Sequence, residues 1–239
     1  MYIYQPNGRA GEYGNLALNI YSGCSHGCKY CYVPAATFKK RDEFHSHQTA
    51  RKFDERHLDK ELDRHKGQTI FLCFTCDPYQ PLDEKLGLTR EMIQRIMAHG
   101  LSVNILTKGG PRSRRDFDLL KNDPLSKYGA TLTFHDASDS IEWEPGAALP
   151  EERMEALKEA HSMGIATWAS LEPVIDTAQS LELISQTKDF VDGYKIGKLN
   201  HLEIAKKTDW KLFAQKAVAL CQLYRKPFIL KKDLAAFLL

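Results

Sequence analysis

The sequence predicts an α/β protein whose strands form a partial (β/α)6 TIM-like barrel that is open on one side. Short apolar runs alternate with segments of helical periodicity, which is the pattern of βα units and a parallel sheet. The apolar run at residues 69–75 is nearly continuous, as expected of a strand buried on both faces. With 239 residues, 43% of them hydrophobic, the chain is long enough for one such barrel.

Six strands are predicted in chain order, each bounded by glycine, proline or polar residues. They cover residues 16–21, 69–75, 101–107, 128–134, 165–171 and 190–196, with residues 227–230 as a candidate short terminal strand. Parallel strands joined through helices require right-handed crossovers, so the carboxyl ends of all strands meet at one end of the barrel. We therefore expect functional side chains to gather at that end.

Helical segments separate the strands. The helix that begins at Thr89 has Gly100 as its stop, and the helix that begins at Pro150 ends at Gly164. A glycine commonly follows the last turn of a helix, whereas proline is favoured in the first turn. The remaining helices are predicted at residues 53–65, 113–121, 177–187 and 210–223.

Composition limits the class of protein. The net charge of +2, from 33 basic and 31 acidic residues, is too small to indicate nucleic-acid binding by itself. The longest apolar runs are too short to span a bilayer, and residues 1–6 lack the basic and apolar regions of a secretory signal. Six cysteines in such a chain indicate metal or redox chemistry in a reducing compartment. We expect a cytoplasmic protein with one domain over residues 1–239, including short terminal extensions.

Three cysteines, Cys24, Cys28 and Cys31, follow the first predicted strand at a Cys-x3-Cys-x2-Cys spacing. Gly23 and Gly27 allow the backbone to turn tightly there. Thiolates this close can converge on one centre, and iron–sulfur clusters usually take four cysteine ligands. A loop with three leaves one iron open, and an open metal position is where a substrate or cofactor binds.

The alternative is a zinc- or iron–sulfur-bearing binding module without turnover, and its zinc form would be a structural site. Cys28 and Cys31 could join Cys73 and Cys76 as a four-cysteine site. The gap between the two pairs is much longer than the roughly 15–20 residues of common zinc modules. Cys24 would also be left without a role.

With Tyr30 directly before the third cysteine, the loop resembles the signature of the radical S-adenosylmethionine (SAM) superfamily. The segment from Cys76 to Pro81, Cys-Asp-Pro-Tyr-Gln-Pro, is similar to the branch that contains spore photoproduct lyase. The resemblance implies that the three cysteines hold a 4Fe–4S cluster whose fourth iron binds SAM, with Tyr30 near the adenine. It also implies reductive cleavage of SAM to a 5′-deoxyadenosyl radical, which abstracts hydrogen from a substrate.

Polar residues at the predicted strand ends are the candidates for holding SAM. They are Thr75, Asp77, Lys108, Thr131, Thr133, Glu172, Lys195 and Asn200. Lys108 is a strongly hydrated point charge suited to the SAM carboxylate or to an anionic substrate. By resemblance, Thr131 and Thr133 lie where the superfamily binds the ribose. Glu172 is a carboxylate at the end of a buried strand and therefore needs a polar partner. For Asp77, the open alternative is a turn in which it caps its own backbone.

Cys76 is the candidate hydrogen-atom donor to a substrate radical. If the strand stays regular, alternation puts Cys73 and Cys76 on opposite faces, and either can instead be a small buried hydrophobic residue. The resemblance also implies an electron donor such as flavodoxin or ferredoxin. The substrate is not specified, and nucleic acid is a candidate only through the resemblance, because the nearly balanced charge shows no basic stripe.

Overall fold

The structure is a computed structural model that describes residues 1–200 and 202–239. The strands within this part of the chain are β1 (Ile3–Tyr4), β2 (Leu16–Leu18), β3 (Tyr21–Ser22), β4 (Thr49–Ala50), β5 (Thr69–Leu72), β6 (Ser102–Thr107), β7 (Lys127–Thr131), β8 (Ala166–Val174), β9 (Gly193–Lys198) and β10 (Phe228–Leu230). Eight of them form one sheet in the order β1-β2-β5-β6-β7-β8-β9-β10, and β3 pairs with β4 in a separate ribbon.

All strands of the main sheet from β2 onward are parallel, and β1 adds to the edge of β2 in the antiparallel direction. The predicted α/β class and open, mainly parallel barrel are therefore confirmed. The candidate terminal strand at residues 227–230 is present as β10. The sheet therefore has seven parallel strands, one more than the six βα units predicted from the sequence. The edge strands β1 and β10 do not pair, so the barrel stays open between them.

Helices cover the outside of the sheet. They are α1 (Val33–Ala36), α2 (Arg41–Ser46), α3 (Glu55–Arg64), α4 (Pro81–Leu86), α5 (Leu88–Ala98), α6 (Phe117–Leu120), α7 (Ala137–Trp143), α8 (Pro150–Ser162), α9 (Thr177–Thr187), α10 (Trp210–Leu223) and α11 (Lys232–Ala235). The bounds predicted for α9 and α10 are confirmed. Both begin after an aspartate, Asp176 or Asp209, whose carboxylate accepts a backbone N–H of the first turn. Such a cap stabilises a helix by about 1 kcal/mol. Within the described residues, none of the helices has the length and apolar character that crossing a bilayer requires.

Three strands end earlier than their apolar runs predict. Strand β2 stops at Leu18 rather than at residue 21. Strand β5 stops at Leu72 because the next residue, Cys73, has a left-handed φ of 71°. The side-chain oxygen of Asn19 then accepts the backbone N–H groups of Phe74 and Thr75, at 2.8 and 2.9 Å. The Asn19 side chain thus replaces a neighbouring strand as the hydrogen-bond partner of these backbone groups, and the chain turns into the barrel mouth. Strand β7 likewise ends at Thr131 rather than at residue 134.

An aromatic cluster fills the inside of the barrel. The rings of Phe71 and Phe74 stack at 4.0 Å, and Trp168 donates from its indole nitrogen to Asn104 at 2.8 Å. Gly129 lies under Trp168, where a Cβ atom would collide with the indole ring. Phe71 and Phe74 of this cluster also line the cavity at the carboxyl ends of the strands.

A short 3-10 turn at Gly8–Glu12 crosses the open side of the barrel. The Lys195 ammonium donates to the carbonyl of Glu12 at 3.1 Å, and the Lys231 ammonium donates to the carbonyl of Arg9 at 3.0 Å. Arg9 also forms an ion pair with Asp233. The amino-terminal segment is therefore held by strand β9 and by the start of helix α11.

Candidate active site

A cavity of about 570 Å³ opens at the carboxyl ends of the parallel strands. Most of the residues predicted for the site line it, namely Cys24, Cys28, Tyr30, Cys31, Thr75, Cys76, Asp77, Lys108, Thr131, Glu172 and Asn200. The remaining two, Thr133 and Lys195, do not line it. The cysteine loop thus lies at the barrel mouth, where the strand pattern placed it.

The cysteine loop is fixed by its backbone. Gly23 has a φ of 83°, and a side chain there would collide with the carbonyl of His47. The N–H of Cys24 donates to the carbonyl of Phe44 at 3.2 Å. Arg41 donates to the carbonyls of Cys28 and Cys31, the latter at 3.1 Å. The glycine allows the tight turn, and helix α2 holds the loop in place.

Gln80 braces the loop from the barrel side. Its amide oxygen accepts the N–H of Ser25 at 3.2 Å, and its amide nitrogen donates to the carbonyl of Gly23 at 3.3 Å. These two backbone groups flank Cys24, and Gln80 itself is fully buried. The position of the first cysteine is therefore tied to the turn after β5.

Asp77 organises that turn. Its carboxylate accepts from the N–H of Tyr79 at 2.9 Å, from the Thr107 hydroxyl at 2.6 Å and from the N–H of Lys108 at 2.7 Å. The hydrogen bond from the N–H of Tyr79 forms the turn in which Asp77 caps its own backbone, which the sequence left as an alternative to a ligand contact. Asp77 also lines the cavity. Burial opposes ionisation, yet His26 and these hydrogen bonds lower the pKa of Asp77 below its usual value.

His26, between the first two cysteines, links the loop to the same turn. Its Nδ1 lies 3.5 Å from the Asp77 carboxylate, and Arg112 lies 3.3 Å from its Nε2. Burial lowers the pKa of His26 to about 4, so the ring is neutral at pH 7. Arg112 also donates to the carbonyl of Tyr79 at 2.7 Å. The Asp-Pro-Tyr-Gln segment and the cysteine loop thus form one connected unit.

The chemistry of the thiols fits a metal cluster. Burial raises the pKa of Cys24 and Cys31, and raises that of Cys28 to about 11, so without a metal these thiols stay protonated at pH 7. A bound metal reverses this effect, because coordination deprotonates a thiol. All three cysteines are free of disulfides.

No group of three histidine, cysteine or acidic side chains in the described part of the chain is arranged to hold a single metal ion. An iron–sulfur cluster makes a different demand, because each cysteine binds its own iron atom.

Two polar groups in the cavity wall are suited to a ligand. The Lys108 ammonium lies 5.6 Å from the centre of the Tyr30 ring. Burial opposes its charge, but the neighbouring Cys28 and Glu144 raise the pKa of Lys108, so it remains a cation. The hydroxyl of Thr75 is buried and has no hydrogen-bond partner among the described residues. Such a group needs a partner, which a bound ligand can provide.

A buried network under Tyr30 was not predicted from the sequence. Glu144 accepts from the Tyr30 hydroxyl and, at 3.1 Å, from Thr133. Arg153 pairs with Glu144 at 2.6 Å. Burial opposes the charge on Glu144, but Arg153 and Lys108 lower its pKa below the usual value. Thr133 therefore contacts the residue that orients Tyr30 rather than the cavity.

One sequence signal could have revealed this network. Arg153 stands in the apolar stripe of α8 with Ala156, Leu157 and Ala160. An arginine in a buried stripe requires an anionic partner. Nothing in the sequence, however, identifies Glu144 as that partner.

Glu172 lies at the far end of the cavity with the polar partners that its position required. Its carboxylate accepts from the Tyr13 hydroxyl and pairs with Lys231 at 3.1 Å. Gly197 makes room for it, since a Cβ atom there would lie 2.6 Å from the Glu172 carboxyl carbon. Neither Tyr13 nor Lys231 was predicted, because both reach the site from the chain termini.

Lys195 lies below this pair and away from the ligand space. Its ammonium donates to the carbonyls of Glu12 and Tyr13 and lies 5.1 Å from the centre of the Trp168 ring. Burial, together with the nearby Lys231, lowers the pKa of Lys195 to about 8.

The placement of Cys73 and Cys76 on opposite faces required a regular strand, and the strand is not regular at these residues. Strand β5 has already ended at Leu72, and the left-handed turn at Cys73 brings both side chains to the same cavity. Burial and the adjoining Cys73 thiol raise the pKa of Cys76. Regular alternation therefore does not apply beyond Leu72.

Asn200 also lies in the cavity wall, and its side-chain amide donates to the carbonyl of Lys198 at 3.0 Å.

Comparisons with known proteins agree with this geometry. An uncharacterized protein of Methanocaldococcus jannaschii is 29% identical over 184 residues, which cover 77% of this chain and 70% of that protein. An uncharacterized protein of Mycobacterium tuberculosis is 27% identical over 180 residues, covering 71% of this chain and 52% of that protein. The chain thus spans about half the length of the mycobacterial relative.

Solved structures share the fold. Spore photoproduct lyase complexed with dinucleoside spore photoproduct superposes with a TM-score of 0.68 at 12% identity, over 95% of this chain and 79% of that one. Streptococcus suis SuiB bound to S-adenosylmethionine gives a TM-score of 0.65 at 11% identity, over 90% of this chain and 49% of that one. The sequence pattern of the radical SAM superfamily matches residues 18–190. The chain therefore belongs to the radical SAM superfamily, whose enzymes use a 4Fe–4S cluster, SAM and a reductant.

Proposed function

We propose that Cys24, Cys28 and Cys31 bind the 4Fe–4S cluster and that the adjoining cavity holds SAM and a substrate. The observation that supports this most is the position of three free cysteines in the cavity wall, where Cys28 is buried and Cys24 and Cys31 are partly buried. The Lys108 cation and the unpartnered Thr75 hydroxyl adjoin the same space. When bound and reduced, the cluster supplies the electron that cleaves SAM to methionine and a 5′-deoxyadenosyl radical.

The protein's own part in this reaction is to bind and orient SAM. Lys108 is a compact cation suited to the SAM carboxylate. Tyr30, fixed by Glu144, presents its ring to the adenine, and Thr133 acts through the same hydrogen bonds. Thr75, Asp77, Thr131, Glu172 and Asn200 offer further polar contacts from the cavity wall. Lys195 supports this wall from below.

We assign Cys76 as the hydrogen-atom donor to the substrate radical. It lines the cavity, and its raised pKa keeps the thiol protonated, which is the form that can donate a hydrogen atom. Transfer breaks the S–H bond, forms a C–H bond on the substrate and leaves a sulfur radical. One electron from the reductant and one proton restore the thiol.

The reductant is a one-electron carrier such as flavodoxin or ferredoxin, and the whole chain acts as one catalytic domain. Nucleic acid is the substrate class that we favour. A radical SAM protein of this fold, spore photoproduct lyase, has been solved with a dinucleoside photoproduct, which supports testing that class first.

Anaerobic purification separates this function from a binding module without turnover. We expect a brown protein with about four iron and four sulfide per chain. Incubation with SAM and reductant should then yield 5′-deoxyadenosine. Colourless protein that contains zinc would contradict the proposal.

The cluster ligands are tested by substitution. Cys24→Ala should abolish the broad visible absorbance, because a loop with two thiolates holds the cluster poorly. Cys221→Ala is the matched control, since Cys221 is also a free cysteine but is buried on α10, outside the cavity wall. Full iron and colour in Cys24→Ala would show that this residue is not a ligand.

A further inference from the structure

We propose that the turn after the cysteine loop is a binding surface for single-stranded nucleic acid at the mouth of the cavity. This inference rests on the proposed function and adds to it the surface that would bind a nucleic acid and the single-stranded form of that ligand. The surface consists of Tyr32, Phe38 and the basic residues of segment 39–52, and we call it the mouth surface.

Phe38 is the feature that first points to a partner. Its side chain is 99% exposed, and its φ of 55° is left-handed, a conformation that non-glycine residues rarely adopt. A large ring held in solvent makes no contribution to the core, whereas the neighbouring Val33 and Pro34 are buried. The ring is therefore presented outward on an anchored turn.

Contacts with the cysteine loop keep this turn beside the active site. The Lys39 ammonium donates to the Ser22 hydroxyl at 2.9 Å, next to the start of the loop. Arg41 donates to the carbonyl of Cys31 at 3.1 Å. Tyr32, which is 55% exposed, lines the cavity and supplies a second ring between Phe38 and the loop. A ligand on the turn would therefore lie within reach of the mouth.

Positive charge is concentrated on the same segment. Residues 38–52 carry five exposed basic side chains, Lys39, Lys40, Arg41, Arg51 and Lys52, against the exposed acids Asp42 and Glu43. The segment thus has a net charge of +3, whereas the whole chain has +2, so the rest of the chain is slightly acidic. Within the described residues, neither Lys40 nor Lys52 has a side-chain ion pair or hydrogen bond. The balanced total charge conceals a local basic site.

This combination favours a single nucleic-acid strand over other anionic partners. Exposed bases stack on aromatic rings while lysines contact the phosphates, and such stacking tolerates any base sequence. A membrane surface would require a continuous apolar face. Between residues 31 and 52, however, Tyr32 and Phe38 are the large hydrophobic side chains that are exposed, and charged residues follow them.

The test measures binding of fluorescein-labelled 20-nucleotide oligothymidylate and oligouridylate to the anaerobic holoenzyme by anisotropy. Phe38→Ala should weaken binding roughly 5- to 100-fold, the effect of losing one stacked base. In Lys40→Gln/Lys52→Gln, the slope of log affinity against log salt should become shallower by about 1.4, because each phosphate contact to a single strand contributes about 0.7. The DNA and RNA probes show which strand is preferred.

Matched controls use exposed residues on other faces. Phe237→Ala and Lys158→Gln/Lys216→Gln should leave both affinity and salt slope unchanged. Equal iron content in all variants shows that the fold is intact. Unchanged oligonucleotide affinity in Phe38→Ala would overturn the inference. It would also be overturned if the holoenzyme bound vesicles of acidic phospholipid but neither oligonucleotide.

An assay of 5′-deoxyadenosine formation without any oligonucleotide tests SAM cleavage separately from nucleic-acid binding. If the holoenzyme cleaves SAM but the mouth surface binds neither probe, the inference fails and the proposed function stands. If SAM is not cleaved, the proposed function fails whatever the binding result.

Discussion

The brace at Gln80 allows a quantitative prediction. Gln80→Leu keeps the approximate volume of the side chain but removes both amide hydrogen bonds. The N–H of Ser25 and the carbonyl of Gly23 then lose their partners in a site where Gln80 was fully buried. Each unsatisfied buried group costs about 1–3 kcal/mol, and Ser25 is partly accessible to water, so we expect a loss of about 2–4 kcal/mol. For a chain of this size, that loss lowers Tm by roughly 4–16 °C.

The specific expectation concerns Cys24, which lies between the two released groups. Its position should become less defined, so Gln80→Leu should lose iron to a chelator faster than the parent and show a broadened electron paramagnetic resonance spectrum. Gln179→Leu is the control, because Gln179 also accepts two backbone N–H groups, from His135 and Asp136, at 3.0 Å each. It should lose stability but keep its cluster signals. If Gln80→Leu retains iron and spectrum like this control, the brace does not position the cysteine.

Three further predictions concern the cavity and the barrel floor. Cys76→Ala should still form 5′-deoxyadenosine while normal product falls and reductant-quenched products rise; an unchanged product distribution would exclude Cys76 as the donor. Glu172→Gln should weaken SAM binding to the cluster-loaded enzyme about tenfold, by isothermal titration, whereas unchanged affinity with a lower Tm would make Glu172 purely structural. Lys195 binds its proton less tightly in the folded protein, with a pKa of about 8, than in the unfolded chain. Stability should therefore rise as pH increases from about 8 to 10.5, by up to about 2 kcal/mol after allowance for its partial exposure. Lys195→Met should flatten that rise in urea unfolding, and a parent-like slope would refute the assignment.

Local signals predicted those parts of the fold that local interactions determine. Helices α9 and α10 have their predicted bounds because an aspartate cap and an apolar stripe both lie within the segment. The ends of β5 and β7 were predicted too late, because hydrophobicity continues past the point where pairing stops. At β5, the cause is a contact between Asn19 and residues 55 positions later, which no local pattern contains.

The candidate site also has a part that the local sequence predicts and a part that depends on contacts between distant residues. The cysteine loop was visible because its ligand spacing is local, and the strand-end rule brought most other candidates to the cavity. The pairs Tyr30–Glu144 and Glu172–Lys231 were missed, because each joins distant segments whose residues look like ordinary surface charges. Gln80 stood inside a noted segment, but only the fold shows that its amide spans Cys24.

The amino-terminal turn that crosses the open barrel has a consequence for biosynthesis. Its contacts join residues up to 222 positions apart, such as Arg9 and Lys231. The three cysteines leave the ribosome early, whereas the side wall of their cavity is completed only after β10 and α11 have been made. A cluster could be inserted before this wall forms or, in the finished barrel, through the open mouth of the cavity. The nascent thiols need protection from oxidation throughout this interval, so we expect the yield of loaded enzyme to depend on the rate of translation as well as on iron supply.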